Sequence, residues 1–323
     1  MDSKIDYRLL FAGLIVIIAI VLVAGCTGAS GSSENHVSTP NPVPTSTPKI
    51  SLSLVPTENA QESIKKFTPF KDYLHNATGY DIELYTATDY TGVITAMQSK
   101  KIDVAFFGPL SYAMANERAD AVAFAMGYNT YNRTFYYSYM LATPEVSAAL
   151  GITSPLKGID GMKILKSKLD SHKGEYTYSF VDPASTSGYG IPRAAMAMAG
   201  IDPAVTFKKT GFAGGHDADA LAVKQKTADL ASCQISTYDK LIASGQITPQ
   251  TDVIIWTSDP IPEQPFAYRS DLSQEVKDRI KDAILNAPTD VLKPLGYNKF
   301  VVADDSDYTQ IKALQKQIEA LPA

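Results

Sequence analysis

Cysteine is almost missing from this chain: its 323 residues hold two, Cys26 and Cys233. A fold held by a framework of disulfides is therefore excluded. Histidine is scarce as well, with four scattered copies, and no His/carboxylate spacing matches a zinc site. No Gly-x-Ser-x-Gly stands anywhere, so the nucleophile elbow of an α/β-hydrolase is absent. There is no basic block: 29 Lys+Arg face 34 Asp+Glu, a formal charge of −5, which argues against a nucleic-acid partner. Long hydrophobic runs are absent too, except one at the N-terminus.

That run extends from Leu9 to Ala24 behind Lys4 and Arg8, and closes as Leu22-Val23-Ala24-Gly25-Cys26. Small residues before a Cys that ends an apolar stretch resemble a lipoprotein signal, with Cys26 as the lipidated first residue of the mature chain. An uncleaved anchor is the alternative, since the run falls just short of a comfortable membrane span. From Thr27 to Lys49 the composition turns to Ser, Thr, Gly, Pro and Asn. Such a stretch cannot bury enough surface to offset its ordering entropy. Pro40, Pro42, Pro44 and Pro48 stiffen it, so it reads as a disordered tether or a glycosylated stalk. Either way the folded part is expected outside the cell, on the outer face of the cytoplasmic membrane.

From Ile50 onward short apolar runs alternate with helical patterns. Ile50–Val55, Asp81–Tyr85 and Val104–Phe107 read as strands, with helices between them that end near Gly79 and Gln98. Gly108-Pro109 opens another helix, since Pro suits a first helical position. This β-α-β-α-β order implies a parallel sheet covered on both faces. Tyr136–Ala142 reads as a strand leading away. Tyr176–Val181, Ala228–Ile235 and Thr251–Thr257 then build a second unit before the chain returns at Ile261-Pro262. The folded part is longer than one core usually organises. The expected division is residues 50–142 with 263–323 as one lobe and 143–262 as the other, joined by crossings near 143 and 262. Cys233, in Leu230–Ile235, reads as a buried, inert thiol.

Two segments carry chemistry. In Val181-Asp182-Pro183-Ala184-Ser185-Thr186-Ser187-Gly188-Tyr189-Gly190, three hydroxyl residues precede a helix. They fit an ordinary N-cap. They also fit an anion site, where the first amides and the helix dipole hold the charge and hydroxyls add donors. In Gly214-Gly215-His216-Asp217-Ala218-Asp219-Ala220-Leu221, a second helix start has a His at its mouth. That His is either structural or a donor to the same anion. Asp217 and Asp219 read as first-turn acids rather than metal ligands, and Asp304–Asp307 as a helix cap. In open α/β sheets ligands gather beyond the carboxyl ends of strands. That rule singles out Thr57-Glu58, Asp89-Tyr90-Thr91 and Phe107-Gly108 in the first lobe, facing Ser185–Gly188 and Gly215-His216 in the second.

With both segments in view, the chain resembles the substrate-binding proteins of phosphonate and phosphite ABC transporters. Asp-Pro-x-Ser-Thr-Ser-Gly stands at 182–188 and Gly-His-acid-x-x-Ala-Leu-Ala-Val at 215–223. Further matches are Asp89-Tyr90-Thr91-Gly92, Lys101–Gly108 and Ile261-Pro262-x-x-Pro265, spread from about Ile50 to near Tyr297. The resemblance implies a two-lobed, hinged α/β fold of the type II periplasmic-binding-protein kind, each lobe a mixed, mainly parallel sheet flanked by helices. It implies a small phosphorus oxyanion held by Ser185, Thr186, Ser187, Gly188, His216 and Tyr90, with Thr57, Phe107 and Gly108 alongside. An ABC permease and its ATPase subunit are the implied protein partners. A monomer without enzymatic activity, cofactor or metal is expected.

The chain departs from the family where ligand choice is made. Relatives that bind amino-phosphonates carry acids at the positions of Ser236 and Gln264, and a Tyr is frequent where Phe107 stands. An ammonium group there would lack a counter-charge, unless Glu263 supplies one. The pocket thus reads as suited to a compact head group. The competing reading is a hydrolase of a phosphorylated substrate using Ser187 and His216, although no motif orients an acid behind the His.

Overall fold

The computed structural model describes residues 48–321. Cys26 and the expected leader and tether as far as residue 47 lie outside the described residues, while Lys49, expected in the tether, already opens the first strand. The chain begins β1 (Lys49–Leu54), α1 (Ala60–Thr78), β2 (Asp81–Thr86), α2 (Tyr90–Gln98), β3 (Val104–Phe106), α3 (Pro109–Ala119) and β4 (Ala121–Asn129). It then crosses through β5 (Phe135–Tyr136) into β6 (Ser138–Ala142), α4 (Pro144–Ala149), β7 (Leu156–Lys157), α5 (Gly158–Leu169) and β8 (Thr177–Phe180). After a wide π-type turn at Thr186–Gly190 come α6 (Ile191–Ala199), α7 (Pro203–Thr206), β9 (Lys209–Phe212), α8 (His216–Lys224), β10 (Leu230–Gln234), α9 (Ile235–Ala243) and β11 (Val253–Thr257). The return is β12 (Ile261–Pro262), followed by β13 (Pro265–Arg269), α10 (Gln274–Leu285), α11 (Thr289–Leu292), β14 (Tyr297–Val302) and α12 (Thr309–Glu319).

Local chemistry sets these elements. Asn59 caps α1 by accepting from the Gln61 amide at 3.0 Å, and Gly79 ends it in the left-handed region at φ 71°. Pro109 sits in the first turn of α3, and Asp202 caps α7. Asp304 and Asp307 form the expected cap, a reciprocal box with the amides of Ser306 and Asp304.

Two six-stranded sheets result, ordered β14-β4-β13-β3-β1-β2 and β7-β11-β6-β10-β8-β9. Strand alternation feeds a core on each face. In the first sheet Ile50, Leu52, Leu54 and Phe106 turn towards α1 and α10, while Ala105 and Phe107 turn towards α2 and α3. The first of these cores is aromatic, with Phe106 and Phe266 rings 4.5 Å apart. The second sheet is mixed and mainly parallel, as the resemblance implies, with three of its five pairings parallel, whereas the first is less so. In the first, three of five pairings are antiparallel, because β13 returns from the other lobe and inserts between β3 and β4 against their direction.

The lobe boundary also differs from the expected residue 142. β6 pairs with β10 and β11 of the second sheet, so the crossing lies at Tyr136–Ser138. An aromatic, apolar strand carries no mark of which sheet it joins, which is why 138–142 reads as part of the first lobe. The two crossing segments bond each other: β5 and β12 form an antiparallel ribbon with Tyr136 opposite Ile261. Helix α12 packs against both α3 and α6 across that junction. No helix among the described residues is long and apolar enough to cross a membrane.

Gly127 of β4 shows how tightly the first core closes. A Cβ built there would lie 2.1 Å from the buried ring of Tyr297, which packs against Phe106 and Phe300. Gly127→Ala is expected to destabilise the fold by about 1–3 kcal/mol through overpacking. Denaturant unfolding measures this, and an unchanged midpoint would contradict the packing.

Candidate functional site

The turn after β8 is built to hold hydroxyls in place. Asp182 Oδ1 accepts the Ala184 amide at 2.7 Å, and its carbonyl accepts the Ser185 amide at 2.9 Å. Ser185 caps the following helix, its Oγ accepting the Gly188 amide at 3.1 Å. Gly188 is required: a Cβ there would sit 2.3 Å from Val181 and 2.7 Å from Ser185 Oγ. Ser138 of β6 fixes the turn from behind by donating to the Ser187 carbonyl at 2.6 Å. Thr186 and Ser187 are the first residues of the turn that runs into α6, where amides have no helix carbonyl behind them to bond.

Four other elements converge on this turn. Thr186 Oγ1 accepts the Leu110 amide at the start of α3, 2.8 Å away. One of its two lone pairs is thereby occupied, and its O–H is left to donate. Gly108 permits the approach, since a Cβ there would come within 3.3 Å of Thr186 Oγ1. From α2 the Tyr90 hydroxyl, completely buried, is directed at Ser185 yet makes no hydrogen bond of sound geometry. From the hinge ribbon the Tyr136 hydroxyl reaches Ser187 and Thr186. Burial pushes the pKa of both phenols well above the usual tyrosine value, so both remain O–H donors.

His216 opens α8 and is 1% exposed. Its Nδ1 accepts the Gln234 amide at 3.1 Å. A backbone amide can only donate, so the ring proton resides on Nε2. That N–H faces Ser185 Oγ at 3.4 Å and Ser187 Oγ at 3.5 Å. Burial pushes the imidazole down to about 3, which keeps it neutral. The site is thus a cradle of neutral donors: three hydroxyls, two phenols and one imidazole N–H, with no Lys or Arg among them.

The structure brings together Ser185, Thr186, Ser187, Gly188, Gly108, His216 and Tyr90 as the sequence suggests, but distributes the other candidates differently. The His216 amide donates to the Thr57 carbonyl at 3.0 Å, and the Ala218 amide to Asp217 Oδ1 at 2.9 Å. Helix α8 therefore serves the cradle through its imidazole rather than through these amides. Thr57 meets the cradle by its backbone, while its residue lines a neighbouring cavity. Phe107 is fully buried in the core with Val55, Tyr90 and Leu110. Ser236 and Gln264 lie outside the cradle, lining two cavities beyond it of about 240 and 170 Å³. Cys233 is a buried thiol that burial holds far above its usual pKa, as expected. Among the described residues no cluster of His, Cys, Asp and Glu fits a metal.

Sequence reasoning misses Tyr136, one of many tyrosines in a Tyr-rich stretch, and Ser138 behind the turn. It names Glu263 without its setting. That carboxylate is 4% exposed and accepts from Asn129 Nδ2 at 2.7 Å, the Gln264 amide at 3.3 Å and the Tyr297 hydroxyl at 3.4 Å. Burial without a cation pushes it up to about 7, against these hydrogen bonds.

With this geometry in hand, comparison with known proteins is decisive. The sequence profile of ABC-transporter phosphonate periplasmic substrate-binding proteins matches residues 52–308. The chain belongs to this family. It is 29% identical over 270 residues to the phosphonates-binding periplasmic protein of Escherichia coli, covering 82% of this chain and 75% of that one. It is 30% identical to the phosphate-import protein PhnD of Mycolicibacterium smegmatis, over 81% of this chain and 77% of that one. Among solved structures, the binding-protein component of an ABC phosphonate transporter from Pseudomonas aeruginosa superposes with a TM-score of 0.73 at 27% identity, covering 85% and 87%. PhnD1 of Prochlorococcus marinus, solved with methylphosphonate, shares the fold at the same TM-score and 18% identity, over 84% and 98%. The protein is the extracytoplasmic binding component of such an importer.

The Nε2–H tautomer of His216 has a direct readout. His216 is expected to keep its proton on Nε2 and not titrate between pH 5 and 8, as followed by imidazole ¹⁵N shifts. Because its folded pKa lies below the unfolded value, its contribution to stability is full above about pH 6.5 and is lost as pH falls towards 3. A titration midpoint near 6.5 would contradict this burial.

Proposed function

We propose that the protein captures a small phosphorus oxyanion, a phosphonate, phosphite or phosphate, between its lobes and delivers it to an ABC permease driven by an ATPase subunit. The observation that carries this reading is the Tyr90 hydroxyl, completely buried and without a partner among other donors. An orphan hydroxyl in such company lacks an acceptor, and a PO₃ group supplies three. Each charge-assisted hydrogen bond contributes about 1.5–3 kcal/mol, so several reach the roughly −8 kcal/mol of micromolar binding. Ser185, Thr186, Ser187, His216, Tyr90 and Tyr136 are the donors we assign. Gly188 and Gly108 allow the close approach, and Phe107 backs the site.

The hydrolase alternative loses its base. His216 presents Nε2–H to the serines, and its Nδ1 is held by an amide rather than oriented by a carboxylate, so it donates where a nucleophile needs an acceptor. For ligand choice, Ser236 and Gln264 offer no counter-charge. Glu263 is committed to three donors, Asn129 Nδ2, the Gln264 amide and the Tyr297 hydroxyl, which leaves it less available to an ammonium. Anchoring by a lipid at Cys26 fits the small residues before it, and a monomer suits delivery to a permease. The lobes, 50–142 with 263–323 and 143–262 apart from the reassigned β6, rotate about the β5–β12 ribbon.

Calorimetry with phosphite, methylphosphonate, phosphate and 2-aminoethylphosphonate tests this. At least one of the first three should bind, and Thr186→Ala, His216→Ala and Tyr136→Phe should each weaken it by about 1–3 kcal/mol with the fold intact. Unchanged affinity in all three variants would overturn the site. Tightest binding of 2-aminoethylphosphonate would overturn the argument about charge.

A further inference from the structure

Beyond the cradle the polar lining changes character. Gln234 and Gln264, joined side chain to side chain at 3.3 Å, form the inner wall of the 240 Å³ cavity. Gln234 is one hydrogen bond from the cradle through His216. The far wall carries ammonium groups, Lys66 from α1 and Lys240 from α9, with exposed Lys293 also lining the cavity. Lys66 and Lys240 both bond the single carboxylate of Glu58, Lys66 at 2.5 Å. This is not an ordinary surface pair, since the Glu58 side chain is 11% exposed and that of Lys66 26%. Burial lowers the Lys66 pKa, and the neighbouring Lys240 adds repulsion, while Glu58 only partly offsets them. Asp217 acts on Lys240 from outside the cavity and is itself bonded to the Asn59 amide. Glu58 is the only carboxylate among the residues that line the cavity, so the lining has an excess of positive charge.

We infer that this cavity receives the second acidic group of a phosphonate whose carbon chain ends in a carboxylate. The inference rests on the reading of the cradle as a phosphorus-oxyanion site. With the phosphonyl oxygens held by the hydroxyls, we place the carbon substituent on the side of Gln234, which bonds His216, and of Gln264, which bonds Gln234 and lines both cavities. The neighbouring 170 Å³ cavity, lined by Glu263 and Asp239, repels an anion. The cavity with the lysines attracts one. A carboxylate there takes charge-assisted hydrogen bonds from Lys66 and Lys240 in competition with Glu58. Ligand selection at this end is therefore set by residues far apart in sequence, on both lobes.

Calorimetry on the intact protein with length-matched pairs tests this: 3-phosphonopropionate against propylphosphonate, and phosphonoacetate against ethylphosphonate. In one pair at least, the carboxylated member is expected to bind about tenfold more tightly. Lys66→Gln should reduce that ratio to near one. Lys66 shares a lobe with Glu58, so this change leaves the Glu58–Lys240 bridge between lobes in place. Glu58→Gln should raise the ratio, because it removes the competing carboxylate; a purely structural role for the cluster would not move the ratio in opposite directions. No advantage for either carboxylated ligand, or a ratio unchanged in Lys66→Gln, overturns the inference while the cradle stands. Failure of all four ligands to bind, while phosphite, methylphosphonate or phosphate does bind, overturns this inference alone; failure of those three as well overturns the cradle reading and this inference with it.

Discussion

An anion held by neutral dipoles alone tolerates no looseness, because each donor must be in place before the charge arrives. In this protein that requirement falls on one turn, Asp182–Gly190. It is held from its own lobe by Ser138 and from the other by the Leu110 amide, whose bond fixes the Thr186 hydroxyl. The Tyr90 amide reaches Asp182 at 3.4 Å across the same gap. Donors fixed in this way need little reorganisation when the ligand binds. A cation would add attraction but would also slow release, which a delivery protein needs.

Further contacts between the lobes surround the cradle. The loop Thr57–Asn59 meets α8 and α9 through three bonds: the Thr57 carbonyl to the His216 amide, the Asn59 amide to Asp217, and Glu58 to Lys240. Tyr136 belongs to the β5–β12 ribbon and reaches the cradle hydroxyls. The residue that bends with the hinge is therefore also a candidate ligand donor. On the proposed function, closure and capture would share atoms, so that a permease sensing closure would sense occupancy as well.

Much of this was legible in the sequence wherever the signal was local. Ser185-Thr186-Ser187-Gly188 is a contiguous run, His216 sits beside two glycines, and helix limits are written in Gly79, Pro109, Gly200 and Asp202. What was not legible is non-local. The sheet that β6 joins depends on pairing with β10 and β11, nearly a hundred residues later. Tyr136 differs in no sequence feature from the tyrosines around it. Lys66 and Lys240 are ordinary surface letters until the fold brings both to Glu58, in the loop before α1. The commitment of the His216 amide to Thr57 could not be read from a helix start alone, because it is made by the opposite lobe.

The most direct measurement of the central claim is a crystal structure of the protein with whichever of phosphite, methylphosphonate or phosphate binds most tightly. The account predicts the phosphorus oxygens within about 3 Å of the Thr186 and Ser187 hydroxyls, His216 Nε2 and the Tyr90 hydroxyl, with no lysine or arginine touching them. A phosphorus group seated instead on Lys66 and Lys240, with the cradle empty, would contradict it.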